Sequence, residues 1–368
     1  MAMPLIERFP GTASLARLDF ADLPTPVTTH HELAADLGGA RLLVKRDDLS
    51  AAPYGGNKVR KLEFLIGKAL AEERRAAVTF GAFGSNHALA TALYGTRAGL
   101  DVHVVLAPQP RTPYLEHNLA ALVATGARVH VVESFEGAIR RGAELRAELR
   151  GRDGIEPAIV PFGGTCAVST AGFVNAGLEL AGQFTSGQFP QPIAIYLPLG
   201  SMGTGVGIAL GLAAAGVRSR VVGVRVVPAG VAPESLLDQA VTDAVEHLRA
   251  VDPSFPLLTR DDLALEVRDG FLGEGYAVPT TEARAALETA ARAGLTLETT
   301  YTGKAFAALI ADTAGGALDG RSVLFWNTYN SHPFTGLPAT PVEAWPEELR
   351  YALQVADELS ATLAPMKE

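Results

Sequence analysis

The chain has 368 residues, 48% of them hydrophobic and 19% charged, with a formal net charge of -9 at pH 7 and a pI near 5.5. Two domains fit that length, there is too little charge for a disordered chain, and the acidic balance excludes binding to nucleic acid through a basic face. With Cys166 as the single cysteine, neither an internal disulfide nor a cysteine-based zinc cluster is available, and the eight histidines show no ligand spacing, so no metal is expected.

Residues 1–11 carry Glu7 and two prolines in place of an apolar signal segment, which predicts a soluble cytoplasmic protein. Short β-branched runs predict strands at 42–45, 77–80, 102–106, 128–132, 158–162, 193–199, 221–227 and 323–327. Ala/Leu-rich stretches between them predict helices at 58–74, 86–98, 115–125, 136–150, 169–184, 204–215, 232–250, 280–293, 303–313 and 347–361. This alternation predicts an α/β fold with mainly parallel sheets flanked by helices. The best candidate domain boundary is 150–165, where Arg150-Gly151-Arg152-Asp153-Gly154 and Gly163-Gly164 fall. Residues 193–217 carry no charge and are long enough to span a bilayer. Pro198 and six glycines nevertheless split them into a buried strand, a loop and a helix, so no membrane contact is expected.

In open parallel sheets, ligands sit where strands run out into helices. Four such places carry unusual chemistry. The first is Lys45-Arg46-Asp47-Asp48, followed by Gly55-Gly56-Asn57-Lys58-Val59-Arg60-Lys61. The glycines make a tight turn, Asn57 suits an N-cap, and Lys58 falls in the first helical turn, where the helix dipole disfavours an ammonium. That is either a solvated basic turn or a nucleophilic amine for an aldehyde. The second is Gly84-Ser85-Asn86-His87, a glycine turn with a capping residue or, less fittingly, a Ser–His pair without a nucleophile elbow. The third is Gly200-Ser201-Met202-Gly203-Thr204-Gly205, between strand and helix. It is a phosphate cradle or a structural loop; it lacks the Walker lysine and the third glycine of a dinucleotide fingerprint, which speaks against a dehydrogenase. The fourth pairs Gly275-Tyr276 with Tyr301-Thr302-Gly303-Lys304, and either tyrosine alone reads equally as packing.

A Schiff-base lysine together with a monophosphate cradle points to pyridoxal 5'-phosphate. The order of these motifs resembles the fold type II pyridoxal-phosphate enzymes (tryptophan synthase β-like), specifically the D-cysteine desulfhydrase / 1-aminocyclopropane-1-carboxylate (ACC) deaminase family. Leu23-Pro24-Thr25-Pro26, Gly163-Gly164-Thr165 and the stretches above carry the resemblance over about 23–328. It implies that Lys58 holds the cofactor and later acts as the base, and that Asn86 meets the cofactor's 3-oxygen. Gly200, Ser201, Met202, Gly203 and Thr204 would form the phosphate loop, with Asn57 and Lys61 assisting. Ser85, Asn86 and His87 would bind the substrate, Tyr276 and Tyr301 would be the active-site tyrosines, and Thr328 would set a hydroxyl against the pyridine nitrogen. The resemblance further implies a larger cofactor domain (1–57 and 163–368), a smaller inserted α/β domain (58–162) that closes over an intervening cleft, and a homodimer.

The implied reaction is α-proton abstraction from a small amino acid followed by β-elimination, D-cysteine giving pyruvate, sulfide and ammonia. The family's ACC deaminases place a glutamate after the second tyrosine; this chain has Thr302, which favours elimination over cyclopropane opening. A racemase or dehydratase could share the scaffold, and a non-catalytic phosphate-ligand binder is the reading from another class. Tyr329-Asn330-Ser331 replaces two glycines usual in the family, Glu298-Thr299-Thr300 replaces an Asp-Pro-Val run, and Met202 replaces a frequent glycine.

Overall fold

The computed structural model describes residues 3–316, 318–332 and 340–363. In chain order the elements begin with α1 (Pro4–Arg8), β1 (Val27–His30), β2 (Arg41–Lys45), α2 (Lys58–Ala71), β3 (Ala76–Ala82), α3 (Asn86–Arg97) and β4 (Asp101–Ala107). There follow α4 (Leu115–Ala124), β5 (Arg128–Val131), α5 (Phe135–Asp153), β6 (Ala158–Val160), α6 (Ala167–Thr185), β7 (Ala194–Leu199) and α7 (Gly203–Ala214). The last are β8 (Arg220–Arg225), α8 (Glu234–Val251), β9 (Leu265–Arg268), α9 (Thr281–Arg292), α10 (Thr302–Thr313), β10 (Ser322–Trp326) and α11 (Glu347–Leu363). The chain divides into two compact units, Met1–Phe64 with Thr165–His332 and Leu65–Gly164 with Pro333–Glu368.

The first unit is built on a six-stranded sheet in the order β1-β2-β10-β7-β8-β9, parallel except for the β1–β2 pair. Alternate residues of each central strand enter opposite cores, as the period of two demands. Leu43, Ile195, Leu197, Leu324 and Trp326 join the core under α6, α7 and α8. Leu42, Val44, Tyr196, Val323 and Phe325 join the one under α9 and α10. Both faces are dry, which is why these strands read as unbroken apolar runs. Helices α6 and α7 meet at Gly177, Gly207 and Gly211. A Cβ on Gly211 would lie 2.3 Å from the Val174 carbonyl oxygen, and one on Gly177 2.5 Å from that of Ile208. The charge-free stretch 193–217 is therefore a buried strand and an enclosed helix, and among the described residues no helix is long and apolar enough to cross a membrane.

The second unit holds a four-stranded parallel sheet, β5-β4-β3-β6. Ala76, Val78, Phe80 and Val105 pack under Ala138, Leu145 and Leu149 of α5. The α/β class and the parallel sheets match the expectation. Three details differ. Strands β1 and β9 were missed; both are edge strands of four residues with polar or exposed positions. Strand β6 stops at Val160, and Phe162–Gly164 form a 3-10 turn. The C-terminal helix belongs to the second unit, whereas the sequence reading placed all of 163–368 in the larger domain. It packs on β5, and Arg111 ties to it through its backbone N–H, which donates to Ser360 Oγ at 2.8 Å.

Candidate active site

Lys58 opens α2 because the chain turns sharply just before it. Gly56 takes φ +92°, and a Cβ there would stand 2.8 Å from the carbonyl oxygen of Thr328. Its N–H donates to Asp47 O (2.8 Å), the next N–H, of Asn57, to Thr328 O (3.1 Å), and that of Gly55 to Asn330 Oδ1 (2.7 Å). The turn is thus fastened to the segments that follow the carboxyl ends of β2 and β10. Lys58 is half-buried, and loss of hydration lowers its amine to about 8. A neutral, nucleophilic fraction is then present near neutral pH.

A second anchor holds α2 from its far side. The buried Arg60 guanidinium donates to both oxygens of Asp47 (2.9 and 2.8 Å), to both of Glu179 (3.0 Å each) and to Thr25 Oγ1 (3.0 Å). The buried Lys45 ammonium completes the cluster on Glu179 Oε1 (2.5 Å), Gln183 Oε1 (2.8 Å) and Thr25 O (2.7 Å). These contacts account for Lys45 and Asp47, prominent in the sequence but outside the expected catalytic set.

Around the start of α7 the structure gathers a set of donors. Lys61 Nζ donates to Thr165 Oγ1 (2.8 Å), Thr165 Oγ1 to Ser201 Oγ (2.8 Å), and Asn57 Nδ2 to Thr204 Oγ1 (3.0 Å). Asn57, expected as an N-cap, directs its amide to Thr204 at the head of α7. Lys61 is buried, and desolvation, with the charge of Lys58 adding to it, pushes its amine well below the ordinary lysine value. Met202 precedes the helix at φ +66°, the left-handed region a glycine enters freely, and provides no side-chain cap. The position where the family commonly has glycine is therefore strained here, at a cost of order 1–3 kcal/mol. A Cβ on Gly203 would lie 2.8 Å from the Thr165 hydroxyl, so a side chain would fill this concavity. Amines, hydroxyls and an uncapped helix N-terminus suit a dianionic monophosphate, and an adjacent low-pKa lysine suits an aldehyde; the residues present fit pyridoxal phosphate.

The tyrosines meet in the same unit. Tyr276 and Tyr301 share a hydroxyl–hydroxyl hydrogen bond, with ring centroids 5.8 Å apart and planes at 72°. A Cβ on Gly200 would lie 3.7 Å from Tyr301 Cε1, which sets this ring beside the loop that precedes α7. Burial pushes the Tyr276 phenol up to about 12, its bond to Tyr301 acting the other way, so it keeps its proton at neutral pH. Thr302 is fully buried. Its hydroxyl donates to Glu298 Oε1 (3.1 Å), and the Glu298 carboxylate also accepts the N–H groups of Thr300 (2.7 Å), Tyr301 (2.9 Å) and Thr302 (2.8 Å). Thr328 is buried beyond β10, and Asn330 after it accepts from Gly55 N and His332 N, which is where the departure at Tyr329-Asn330-Ser331 finds its structural use.

Ser85, Asn86 and His87 stand in the second unit, where β3 runs into α3. Ser85 Oγ accepts from Ala88 N (3.1 Å) as the N-cap of α3, and Asn86 Oδ1 accepts from Asn118 Nδ2 (2.9 Å). The His87 ring is buried, with Nε2 3.2 Å from Thr79 Oγ1. Cys166 is half-buried and precedes α6. Sequence reasoning missed Thr165 as a bridge, although the Gly163-Gly164 pair before it was a signal. It gave no role to Glu298, noted only as a departure four residues ahead of Thr302, or to Lys304, quoted only as the end of the fourth motif. Among the described residues there is no group of side chains that could hold a metal ion.

Comparison with known proteins agrees with this geometry. The family described as pyridoxal-phosphate dependent enzyme matches residues 18–328. A provisionally named 1-aminocyclopropane-1-carboxylate deaminase of Pyrococcus horikoshii is 33% identical over 86% of this chain and 92% of its own. Nocardicin C-9' epimerase of Nocardia uniformis is 35% identical over 79% of this chain and 87% of its own. D-cysteine desulfhydrase of Klebsiella pneumoniae is 31% identical over 84% of this chain and 90% of its own. The solved structure of an ACC deaminase homologue superposes with a TM-score of 0.74 at 29% identity, covering 89% of this chain and 95% of that one. With a low-pKa lysine at the head of α2, a hydroxyl-lined cradle at the head of α7 and relatives matched over most of their length, the chain belongs to the pyridoxal-phosphate dependent enzymes, in the family of the ACC deaminases and D-cysteine desulfhydrases.

Proposed function

We propose that the chain is a lyase that removes the β-substituent of a small amino acid, with D-cysteine as the first candidate. D-cysteine and one water would give pyruvate, hydrogen sulfide and ammonia. The observation that carries this reading is Thr302. Where the resemblance puts a glutamate in cyclopropane-opening enzymes, this chain has a buried threonine whose hydroxyl is turned to Glu298 (3.1 Å). A hydroxyl so engaged is a poor holder of a ring proton, and elimination asks less of that proton than ring opening does.

Pyridoxal phosphate supplies, when bound, an electron sink for the charge left at the substrate's Cα. Lys58, with its amine lowered to about 8, takes the proton from Cα. Lys61, Asn57, Gly200, Ser201, Met202, Gly203 and Thr204 hold the phosphate, Asn86 bonds the 3-oxygen and Thr328 offers its hydroxyl to the pyridine nitrogen. Ser85 and His87 take the substrate carboxylate. Tyr276, which keeps its proton at neutral pH and is bonded to the Tyr301 hydroxyl, delivers a proton to the departing sulfur.

A second reading is favoured by one observation. The first unit carries two kinds of proton carrier, the Lys58 amine and the phenol pair, which also suits proton exchange at Cα without loss of a substituent, as the name of the epimerase relative describes. The test is 2-oxo-acid release from cofactor-loaded protein given D-cysteine, L-cysteine, D-serine and aminocyclopropane carboxylate separately. Pyruvate with sulfide from D-cysteine is the expected result; 2-oxobutanoate from the cyclopropane overturns the reading of Thr302, and deuterium exchange at Cα without oxo-acid supports the epimerase.

A further inference from the structure

Lys304 lies on the first turn of α10, three residues beyond Tyr301, and is 0% exposed. Its ammonium donates to the carbonyl oxygens of Leu272 (2.7 Å) and Gly275 (3.1 Å). Both belong to the stretch between β9 and α9, which contains no helix or strand, and Tyr276 follows Gly275 directly. That stretch turns sharply: Gly270 and Gly273 use the positive φ open to glycine, +98° and +68°, and the non-glycine Ala277 is held at φ +62°, where a side chain is strained. Few main-chain bonds define such a segment, so side-chain donors fix its path. The other side of the α10 terminus serves Tyr301, whose N–H donates to Glu298 Oε1 (2.9 Å). One helix end therefore grips both phenols, Tyr301 through Glu298 and Tyr276 through Lys304.

We infer that Lys304 is a positioning residue, which holds the Leu272–Tyr276 segment so that the Tyr276 hydroxyl stays bonded to Tyr301. Desolvation lowers the Lys304 amine to about 8, with the Glu298 charge opposing it. Neutral or charged, the amine keeps two N–H groups for its two carbonyls, so the grip persists through neutral and mildly alkaline pH. The catalytic side of this inference rests on the reading of the phenol pair as proton donor.

The experiment is a double-mutant cycle on the holoenzyme, with a crystal structure alongside. Tyr276→Phe lowers kcat on the order of a hundredfold with little change in KM, the scale of a lost proton donor. Lys304→Met lowers kcat on the order of tenfold, within what a displacement of about 1 Å can do. In the Tyr276→Phe background, Lys304→Met lowers kcat no further, because its effect passes through the missing hydroxyl. Multiplying losses in the double variant would overturn the inference. So would a Lys304→Met structure with the Tyr276–Tyr301 bond intact. If Tyr276→Phe leaves kcat unchanged, the proton-donor reading fails by itself, and the Lys304→Met structure still decides the positioning role. Should Lys304→Met not fold, Lys304→Gln, which keeps a neutral donor but reaches less far, goes through the same cycle.

Discussion

Helix α2 carries two buried cation environments within a single turn, and the fold treats them in opposite ways. Arg60 meets Asp47 and Glu179, with Lys45 beside them, so two cations face two carboxylates. Despite burial, these partners hold the guanidinium above its ordinary value and bring Glu179 down to about 2. Lys58 and Lys61, on either side of Arg60 in the sequence, are lowered, with burial as the main cause. Burial alone thus does not decide the state of a buried cation: Arg60, which meets both oxygens of two carboxylates, is raised, whereas Lys45, which meets one oxygen of Glu179, is lowered. The cluster fixes α2 against β2 and α6, with the Arg60 guanidinium and the Glu179 carboxylate held ionised, while burial lowers the Lys45 amine against the pull of Glu179. Lys58 and Lys61 are left with adjustable protons, as a nucleophile and an anion site require.

The contrast can be broken at several points. Lys58→Ala is expected to abolish turnover and to abolish covalent retention of the cofactor after borohydride reduction, read as the mass of the intact protein; retained mass would place the linkage on another lysine. Arg60→Met leaves Asp47 and Glu179 with Lys45 alone. It should cost about 3–5 kcal/mol of unfolding free energy, measured by urea denaturation, because buried charges are left uncompensated. A loss below about 1 kcal/mol would erase the distinction drawn above.

A pH series sharpens it. In cofactor-free protein Lys58 titrates at about 8 when folded and near 10.5 when unfolded. Below pH 8 both states hold the proton, and its contribution does not vary. Between pH 8 and 10.5 the unfolded chain holds more protons than the folded one, so stability rises with pH. Wild-type protein should therefore gain on Lys58→Met across that window, and a flat difference would mean an unshifted amine. Thr165→Val should have the smallest effect on the fold, about 1 kcal/mol, from the lost hydroxyl bridge between Lys61 and Ser201. Its dissociation constant for inorganic phosphate, measured by calorimetry, should rise severalfold; an unchanged constant would remove Thr165 from the cradle.

Much of this was legible in the residues. The interior strands announce themselves because both their faces are apolar, and the turns into α2 and α7 because glycines cluster just ahead of each helix. The edge strands did not. Val27-Thr28-Thr29-His30 and Leu265-Glu266-Val267-Arg268 are short and polar on one face, so only pairing with β2 and β8 defines them. Lys304 and Arg60 look like surface charges in the sequence, since a buried cation is recognised by partners far along the chain. Thr302 stands out in the sequence, but its hydroxyl bond to Glu298 follows from the way α10 begins, which spacing does not reveal. The C-terminal helix is amphipathic in sequence, and nothing in that pattern says which sheet its apolar face will cover.

The glycine contacts between α6 and α7 bear on heredity. Every missense change of a single base in a glycine codon yields a residue with a Cβ. At Gly177, Gly207 and Gly211 that carbon would meet the facing helix at 2.5, 2.4 and 2.3 Å. No conservative exchange exists at these codons, so one helix must move away from the other. A displaced α7 would carry the 200–202 loop at its head with it. The gene thus bears, in an apparently bland Ala/Gly stretch, a set of positions where every missense change drives two packed helices apart.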